Sequence, residues 1–262
     1  MSILQFTSSE SITWIAKLSH RVKGPAVKLG VDNHLRKLRA TLHPTYRREY
    51  IDSQNLRLLM TFALAEDANC IDVGAHIGTV LTEMLRVSPR GKHIAYEPLP
   101  SFYKYLVEHF PSVDIRQLAV SNEEGERSFA YLKRLPGRSG FHERSFSGSQ
   151  QIEKINVRTA TLDSSLPENY IPSLIKIDVE GAERLVLEGA VNTISKYKPI
   201  VVFEHGKEGA VHYDTQPGQI YELLHDRAGL RIFDMDGDGP YTLGQFEETF
   251  ARNDHWNFVA CR

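Results

Sequence analysis

Asp178, Glu180, Glu204 and His205 are the side chains of this chain best suited to moving a proton. They end two apolar runs, Ile175-Lys176-Ile177-Asp178-Val179-Glu180-Gly181-Ala182-Glu183 and Ile200-Val201-Val202-Phe203-Glu204-His205. On a strand Lys176, Asp178 and Glu180 share one side, while Ile175, Ile177 and Val179 take the other. Burying three unpaired charges is costly. They are therefore expected at the strand's carboxyl end, where open α/β sheets bind ligands. Adjacent strand ends would bring Asp178, Glu180, Glu204 and His205 to one cleft, with Glu180 or His205 as general base. A cap on the following helix explains Glu180 or Glu183 singly, but hardly the whole set. Taken alone, His205 would more often be a structural histidine.

A second constellation lies upstream. Asp72-Val73-Gly74-Ala75-His76-Ile77-Gly78-Thr79-Val80 follows Cys70-Ile71, and Glu97 ends the next apolar run, His93-Ile94-Ala95-Tyr96, just before Pro98. A strand, a glycine turn, a helix and a strand ending in an acid begin a nucleotide-type site. Gly74 permits the sharp turn and Gly78 lets the helix lie close to the strand. The free amides of the helix's first turn, around His76 and Thr79, then face the ligand. Glu97 is placed to accept hydrogen bonds from two ribose hydroxyls. Only two glycines occur, in the pattern Asp-x-Gly-x-x-x-Gly, whereas a dinucleotide fingerprint needs three to cradle a pyrophosphate. Asp72 would repel a pyrophosphate but suits a cation such as S-adenosylmethionine, with its ammonium and sulfonium charges. The bland alternative is a plain strand-to-helix turn, and Glu97 at the proper distance weighs against it.

The elements that must hold these residues alternate. Strands are predicted at 69–73, 92–97, 113–120, 174–178 and 199–204, and helices at 77–87, 100–109, 181–195 and 216–228. That order implies a mostly parallel sheet. Arg231-Ile232-Phe233-Asp234 and Trp256 to Cys261 read as a closing antiparallel pair, which a dinucleotide domain lacks. Between them Asp234 to Gly239 imitates a calcium loop, but Gln245 stands where a bidentate Glu is required, so an acidic turn with no helix after it is expected. Residues 125–132 and 154–162 read as a β-hairpin inserted after the third strand. Their connection, Lys133 to Ser149, includes Arg138 and Arg144 among four cations interleaved with aromatic residues. Such a loop is a natural substrate-facing lid, or else an ordinary mobile surface loop. Residues 1–66 read as helical, with breaks near Gly24-Pro25 and His43-Pro44. One helix is expected from Ile51 to Leu64, capped by Asp52 or Ser53. Residues 1–50 thus form a helical extension to a domain over 51–262.

With 262 residues, 41% hydrophobic and 24% charged, the composition is that of an ordinary globular chain with a sizeable core. No apolar run reaches the length of a membrane span, and Met1 to Leu18 lacks the basic start of a secretory signal. Cys70 and Cys261 sit in apolar, strand-like contexts and read as reduced core residues of a cytoplasmic protein. The net charge of −2 hides an asymmetry, because the first fifty residues carry nine Lys/Arg against three acids, +6 there and −8 beyond. This basic arm is read as a solvated helical face or a subunit contact of a homo-oligomer. An anionic membrane, glycolipid or polyanion is the alternative partner.

Taken together, Ile71 to Gly78, Tyr96-Glu97-Pro98, Ala119-Val120-Ser121, Ile175 to Glu183 and Phe203-Glu204-His205 resemble the FkbM-type family of S-adenosylmethionine-dependent methyltransferases. Lys-Ile-Asp-Val-Glu-Gly-Ala-Glu is the specific part, and the resemblance covers residues 50–262. It implies a Rossmann-like, seven-stranded class I methyltransferase sheet and methyl transfer to a hydroxyl of a sugar, glycan or natural product. It also implies that Asp72, Gly74 and Gly78 line the cofactor, Glu97 holds the ribose, Val120 and Ser121 lie near the adenine, and Asp178 and Glu180 face the reacting centre. His76 replaces the family's usual Asn, a departure that bears on how the methionine end is held. In catechol O-methyltransferase, acids after the fourth and fifth strands hold magnesium. Asp178 and Glu204 occupy comparable places, which makes Mg2+ a second candidate cofactor. The basic loop predicts an anionic acceptor bound by Arg138 and Arg144, with Glu204 beside it. No Asn/Asp-Pro-Pro-Tyr/Phe follows the fourth strand, so no nucleic-acid partner is expected. N-methyl transfer and a non-catalytic nucleotide-binding module are the alternatives.

Overall fold

Four buried residues, Cys70–Val73 (β1), form the axis of the main sheet. Buried on both faces, a parallel strand reads as a continuous apolar run, and Asp72 is the one break in it. The computed structural model describes Thr41 and residues 44–132, 139–142 and 152–262. Beside β1 run the parallel strands Ile94–Tyr96 (β2) and Leu174–Ile177 (β7). Asp114–Arg116 (β3) extends the sheet beyond β2, and Ile200–Glu204 (β8) extends it beyond β7. Asn257–Cys261 (β10) inserts antiparallel between β8 and Arg231–Asp234 (β9). The resulting order is β3-β2-β1-β7-β8-β10-β9. The order reverses between β1 and β7, and ligands of such sheets bind outside the carboxyl ends at that point.

Helix α1 (Pro44–Ala63) starts at the expected break, earlier than Ile51. Asp52 is consequently no cap but lies inside the helix, where the Arg48 Nε donates to it at 2.9 Å. Leu56, Leu59 and Met60 of this helix pack with Leu81 and Met84 of α2 (Thr79–Val87) and with Leu106 of α3 (Pro100–His109). The chain divides into two units, Met1–Gln54 and Asn55–Arg262. Of the basic arm read over residues 1–50, residues 1–40 lie outside the described residues, as do Arg138 and Arg144.

The single strand expected at 113–120 is two strands. β3 joins the main sheet, whereas Ala119–Val120 (β4) turns away to pair with Ile152–Ala160 (β6) in a second sheet. There β6 runs antiparallel to Gly125–Leu132 (β5), which is the inserted hairpin. Leu99, Ala119, Phe129 and Val157 form its own small core. The helix expected at 181–195 breaks into α4 (Glu183–Glu188) and α5 (Val191–Tyr197). The break falls at Gly189, where a Cβ would stand 2.0 Å from the Ser121 carbonyl oxygen. After α6 (Pro217–Tyr221) the chain widens into a π-helical turn, Glu222–Arg227.

The chain after the Asp234 turn is helical after all, as α7 (Leu243–Arg252). Gln245, which fails as a calcium ligand, instead closes a capping box with Thr242, whose amide it accepts at 2.9 Å. Phe246 of α7 is fully buried against Phe258 and lies with Phe203, Ile220 and Leu224 in the larger core cluster. Asp234 itself organises the turn, accepting from the amides of Asp236 and Asp238 at 2.9 Å each and from the Tyr241 hydroxyl at 2.7 Å. Both cysteines are free, with Cys70 buried in β1. Among the described residues no helix is long and apolar enough to cross a membrane.

Candidate cofactor and active site

The glycine turn after β1 is held by its neighbours on both sides. The amides of Gly74 and Ala75 both donate to the Tyr96 carbonyl at the end of β2, at 3.0 and 3.1 Å, and the Asp178 amide donates to the Val73 carbonyl at 3.1 Å. Gly74 has φ +85°, and a Cβ on it would stand 1.9 Å from the Asp178 carbonyl oxygen. Only glycine lets the loops after β1 and β7 come this close. Gly78, also left-handed at φ +77°, abuts the Phe110 ring, and Thr79 begins α2 behind it. Two adjacent strand ends are thereby locked together at the switch point.

Glu97 sits at the tip of β2 with 4% exposure. Its two oxygens each take one backbone amide, His76 at 2.8 Å and Leu99 at 2.9 Å. Burial pushes its carboxyl up to about 7, against the pull of those two amides. A carboxylate oxygen accepts more than one hydrogen bond, so the capacity for ribose hydroxyls remains. His76 reaches Glu97 through its main chain in a left-handed conformation at φ 50°, and its ring packs edge-on against Phe102 at 4.2 Å. This is a conformation that Asn adopts more readily than most residues.

Asp72 is 1% exposed, and neither carboxylate oxygen has a hydrogen-bond partner. Burial raises its pKa to about 6, with the Lys176 charge opposing and the Asp178 charge adding. Lys176 is the register partner of Asp72 on β7, so both side chains leave the same face. Its ammonium is committed elsewhere, to Asp178 at 2.8 Å. Burial disfavours the Lys176 charge, but the two aspartates outweigh it and hold the lysine protonated. Asp178 keeps 38% of its side chain exposed. Burial raises its carboxyl, yet the Lys176 charge and a hydrogen bond from Glu204 bring it below the ordinary value. Glu204, at the end of β8, is pushed well up by burial and by the charges of Asp178, Glu183 and Glu180. The two strand-end acids are therefore shifted in opposite directions, Asp178 toward its ionised form and Glu204 toward its protonated form.

A buried, unpartnered carboxylate stands beside the glycine turn, with a second buried acid at the next strand tip. The family profile described as the methyltransferase FkbM domain matches residues 72–231, more than half of the chain. The chain belongs to the FkbM methyltransferase family. It is similar to hexuronic acid methyltransferase AglP of Haloferax volcanii, with 26% identity over 72% of this chain and 75% of that protein. It is also similar to methyltransferase sdnD of Sordaria araneosa, at 28% identity over 70% of this chain and 80% of the relative. Among solved structures, the methyltransferase FkbM of Methylobacillus flagellatus KT aligns with a TM-score of 0.47 at 14% identity, and the match covers 76% of this chain and 44% of that one. The protein is an S-adenosylmethionine-dependent methyltransferase.

In this FkbM methyltransferase the predicted acids separate into groups. Asp72, Lys176, Asp178 and Glu204 interact directly, and Glu180 joins them through its charge on Glu204. Glu180 is a left-handed residue at φ 60° in the loop after β7. Glu183, offered by the sequence only as a helix-capping acid, shapes that loop, because its Oε1 accepts the Val179 and Gly181 amides at 3.0 Å each. Its spacing from Val179 was the available sign, an acid at the start of α4 facing an amide four residues back. His205 points elsewhere. Its ring stacks on Phe250 at 4.6 Å and Phe246 at 5.8 Å, its Nε2 has no partner, and burial lowers its pKa to about 4. Val120 and Ser121 are buried at the root of the second sheet, where the Ser121 amide donates to Ala160 at 2.9 Å. Pro98 links Glu97 to Leu99, whose amide closes on that acid. Among the described residues no group of three or more His, Cys, Asp and Glu is arranged to hold a metal ion, and the nearest cation to Asp178 is the Lys176 ammonium.

Proposed function

We propose that this enzyme methylates a hydroxyl group of a sugar or sugar-like acceptor, with Asp178 as the group that receives the hydroxyl proton. The observation that carries the reading is Asp178 itself, an ionised, partly exposed carboxylate at the end of β7 beside the glycine turn, held by Lys176. Asp72 and Glu97 would hold the cofactor's ammonium and ribose. The cofactor supplies a methyl group on a positively charged sulfur, ready for in-line displacement. An alcohol is a weak nucleophile until its proton is taken, and a placed base contributes about 10²–10⁴-fold. Asp178 hydrogen-bonds the acceptor hydroxyl and takes its proton as the oxygen–carbon bond forms. Glu204, whose carboxyl is pushed toward its protonated form, shares a hydrogen bond with Asp178 that helps keep the Asp178 charge in place. Glu180, in the same loop, is the second candidate for the base.

The acceptor reading has two supports. AglP, a relative of this chain, is a hexuronic acid methyltransferase. The stretch Lys133 to Arg144 is rich in cations, which suits an acidic sugar. The test is labelled-methyl transfer from S-adenosylmethionine to uronate-containing glycans, followed by mild alkali. An alkali-stable label is a methyl ether and supports hydroxyl transfer, while label released as methanol is a methyl ester and contradicts it. Asp178→Asn should lower kcat by at least about 10²-fold with cofactor affinity retained. Joint replacement of Arg138 and Arg144 by Ala should raise the acceptor KM. An unchanged KM would remove the acidic-acceptor reading.

A further inference from the structure

The inserted sheet does not stand apart from the catalytic strand ends, because the Tyr213 side chain couples them. After β5 the chain folds back on itself. Gly140 bridges Ala130, with the Ala130 amide donating to Gly140 at 2.8 Å, and the Ser139 hydroxyl accepts the Leu132 amide at 3.0 Å. Phe141 then packs edge-on against Phe129 at 5.5 Å, under the Arg127 guanidinium at 5.4 Å. The Phe141 amide leaves the insertion and donates to the Tyr213 hydroxyl at 2.9 Å. The exposed His142 lies edge-on against the same tyrosine ring at 4.6 Å.

Tyr213 belongs to the connection that follows Glu204. That connection runs through Gly206, a short helix at Lys207–Ala210 and a 3-10 turn at Val211–Tyr213. Its middle rests on the loop that carries Glu180. A Cβ on Gly181 would stand 2.4 Å from the Gly209 carbonyl oxygen, and one on Gly209 would stand 2.9 Å from the Gly181 Cα. The backbone of the acid-bearing loop therefore touches the segment whose tyrosine, four residues further on, holds the insertion. Tyr213 is itself 8% exposed, a buried phenol spent on a main-chain amide.

We infer that Tyr213 is a positioning residue for acceptor binding, a latch that fixes Ser139–His142 as a wall of the acceptor site beside the Asp178–Gly181 loop. The inference rests on the hydroxyl-transfer reading only for the nature of the acceptor. The cofactor groups Asp72, Gly74 and Glu97 lie on other elements and are not touched by the latch.

The test compares Tyr213→Phe, which deletes only the hydroxyl, with Gly140→Ala, whose Cβ would stand 2.9 Å from that hydroxyl. Each should raise the acceptor KM about tenfold, the worth of one part-buried hydrogen bond, with kcat and S-adenosylhomocysteine affinity unchanged. Hydrogen exchange should show lost protection at the Phe141 amide in both variants. The double variant should be no worse than either single one, since both break the same contact. An unchanged KM, a fall in kcat alone, or additive effects in the double variant would overturn the inference. The assay uses whichever acceptor the wild type turns over. Transfer confined to nitrogen would defeat the hydroxyl reading while the KM comparison still decided the latch.

Discussion

Replacing Gly74 with Ala should separate backbone strain from the steric closeness of two strand ends. Gly74 and Gly237 share nearly the same left-handed conformation, φ +85° and +93°, but differ in what a methyl would meet. At Gly237 nothing lies within 4 Å, whereas at Gly74 the Asp178 carbonyl oxygen would be 1.9 Å away. Gly237→Ala should therefore cost only the left-handed penalty of an L-residue, about 1–2 kcal/mol. Gly74→Ala adds an overlap with main chain that cannot rotate aside, for a further 1–3 kcal/mol or more. The total of about 2–5 kcal/mol can be relieved only by parting the loops after β1 and β7, which flank the proposed cofactor site. Chemical denaturation of both variants gives the stability difference, and calorimetric titration with S-adenosylhomocysteine gives the affinity. Gly237→Ala should bind normally, and Gly74→Ala should lose at least about tenfold in affinity. Equal stability costs in the two variants, with equal binding, would refute the claim that the close approach of these loops builds the site.

Asp72→Asn should stabilise the ligand-free protein by about 1–2 kcal/mol at pH 8, because a buried carboxylate whose pKa is raised to about 6 opposes folding when ionised. Asp72, with Glu97 and Glu183 at about 7, binds more protons folded than unfolded, so wild-type stability should fall as pH rises from 5 to 8, and less steeply in this variant when followed by thermal melts. His205→Phe should keep kcat/KM and leave the pH–rate profile unaltered, since its ring sits in an aromatic stack. A loss of 10²-fold or more would make it the base after all. Glu183→Ala, which leaves the Val179 and Gly181 amides without their acceptor, should destabilise by about 1–3 kcal/mol and lower kcat. Glu183→Gln, which keeps an acceptor oxygen there, should restore most of both.

The parts of this fold legible in the sequence are those where backbone chemistry leaves a mark in residue type. Gly74, Gly78 and Glu97 were readable because left-handed turns and a strand-tip acid demand particular residues, although what crowds Gly78 is the Phe110 ring and not the strand. The closing strand pair was readable from its two apolar runs, Ile232-Phe233 and Phe258 to Cys261. Other features depend on tertiary partners. Arg116 and Ala119 lie three residues apart in one strand-like stretch, yet they end up in different sheets, and no local pattern announces the turn. Helix α7 did carry a signal, Thr242-x-x-Gln245 followed by Phe246, Thr249 and Phe250, but the acidic turn before it drew attention to metal chemistry instead. The direction of His205 depends on α7 being there to receive it. Glu204 was read as a metal ligand, and its hydrogen bond to Asp178 follows from the register of β7 and β8, which sequence alone does not fix.

The most direct measurement compares two ligands on three proteins. S-adenosylhomocysteine carries the ammonium that Asp72 is held to meet, and methylthioadenosine has the same ribose and adenine without it. The account predicts that Asp72→Asn weakens S-adenosylhomocysteine at least about tenfold and leaves methylthioadenosine unchanged, while Glu97→Gln weakens both. Equal loss of both ligands in Asp72→Asn, or full retention of both in Glu97→Gln, would contradict the assignment of these two acids to the two ends of the cofactor.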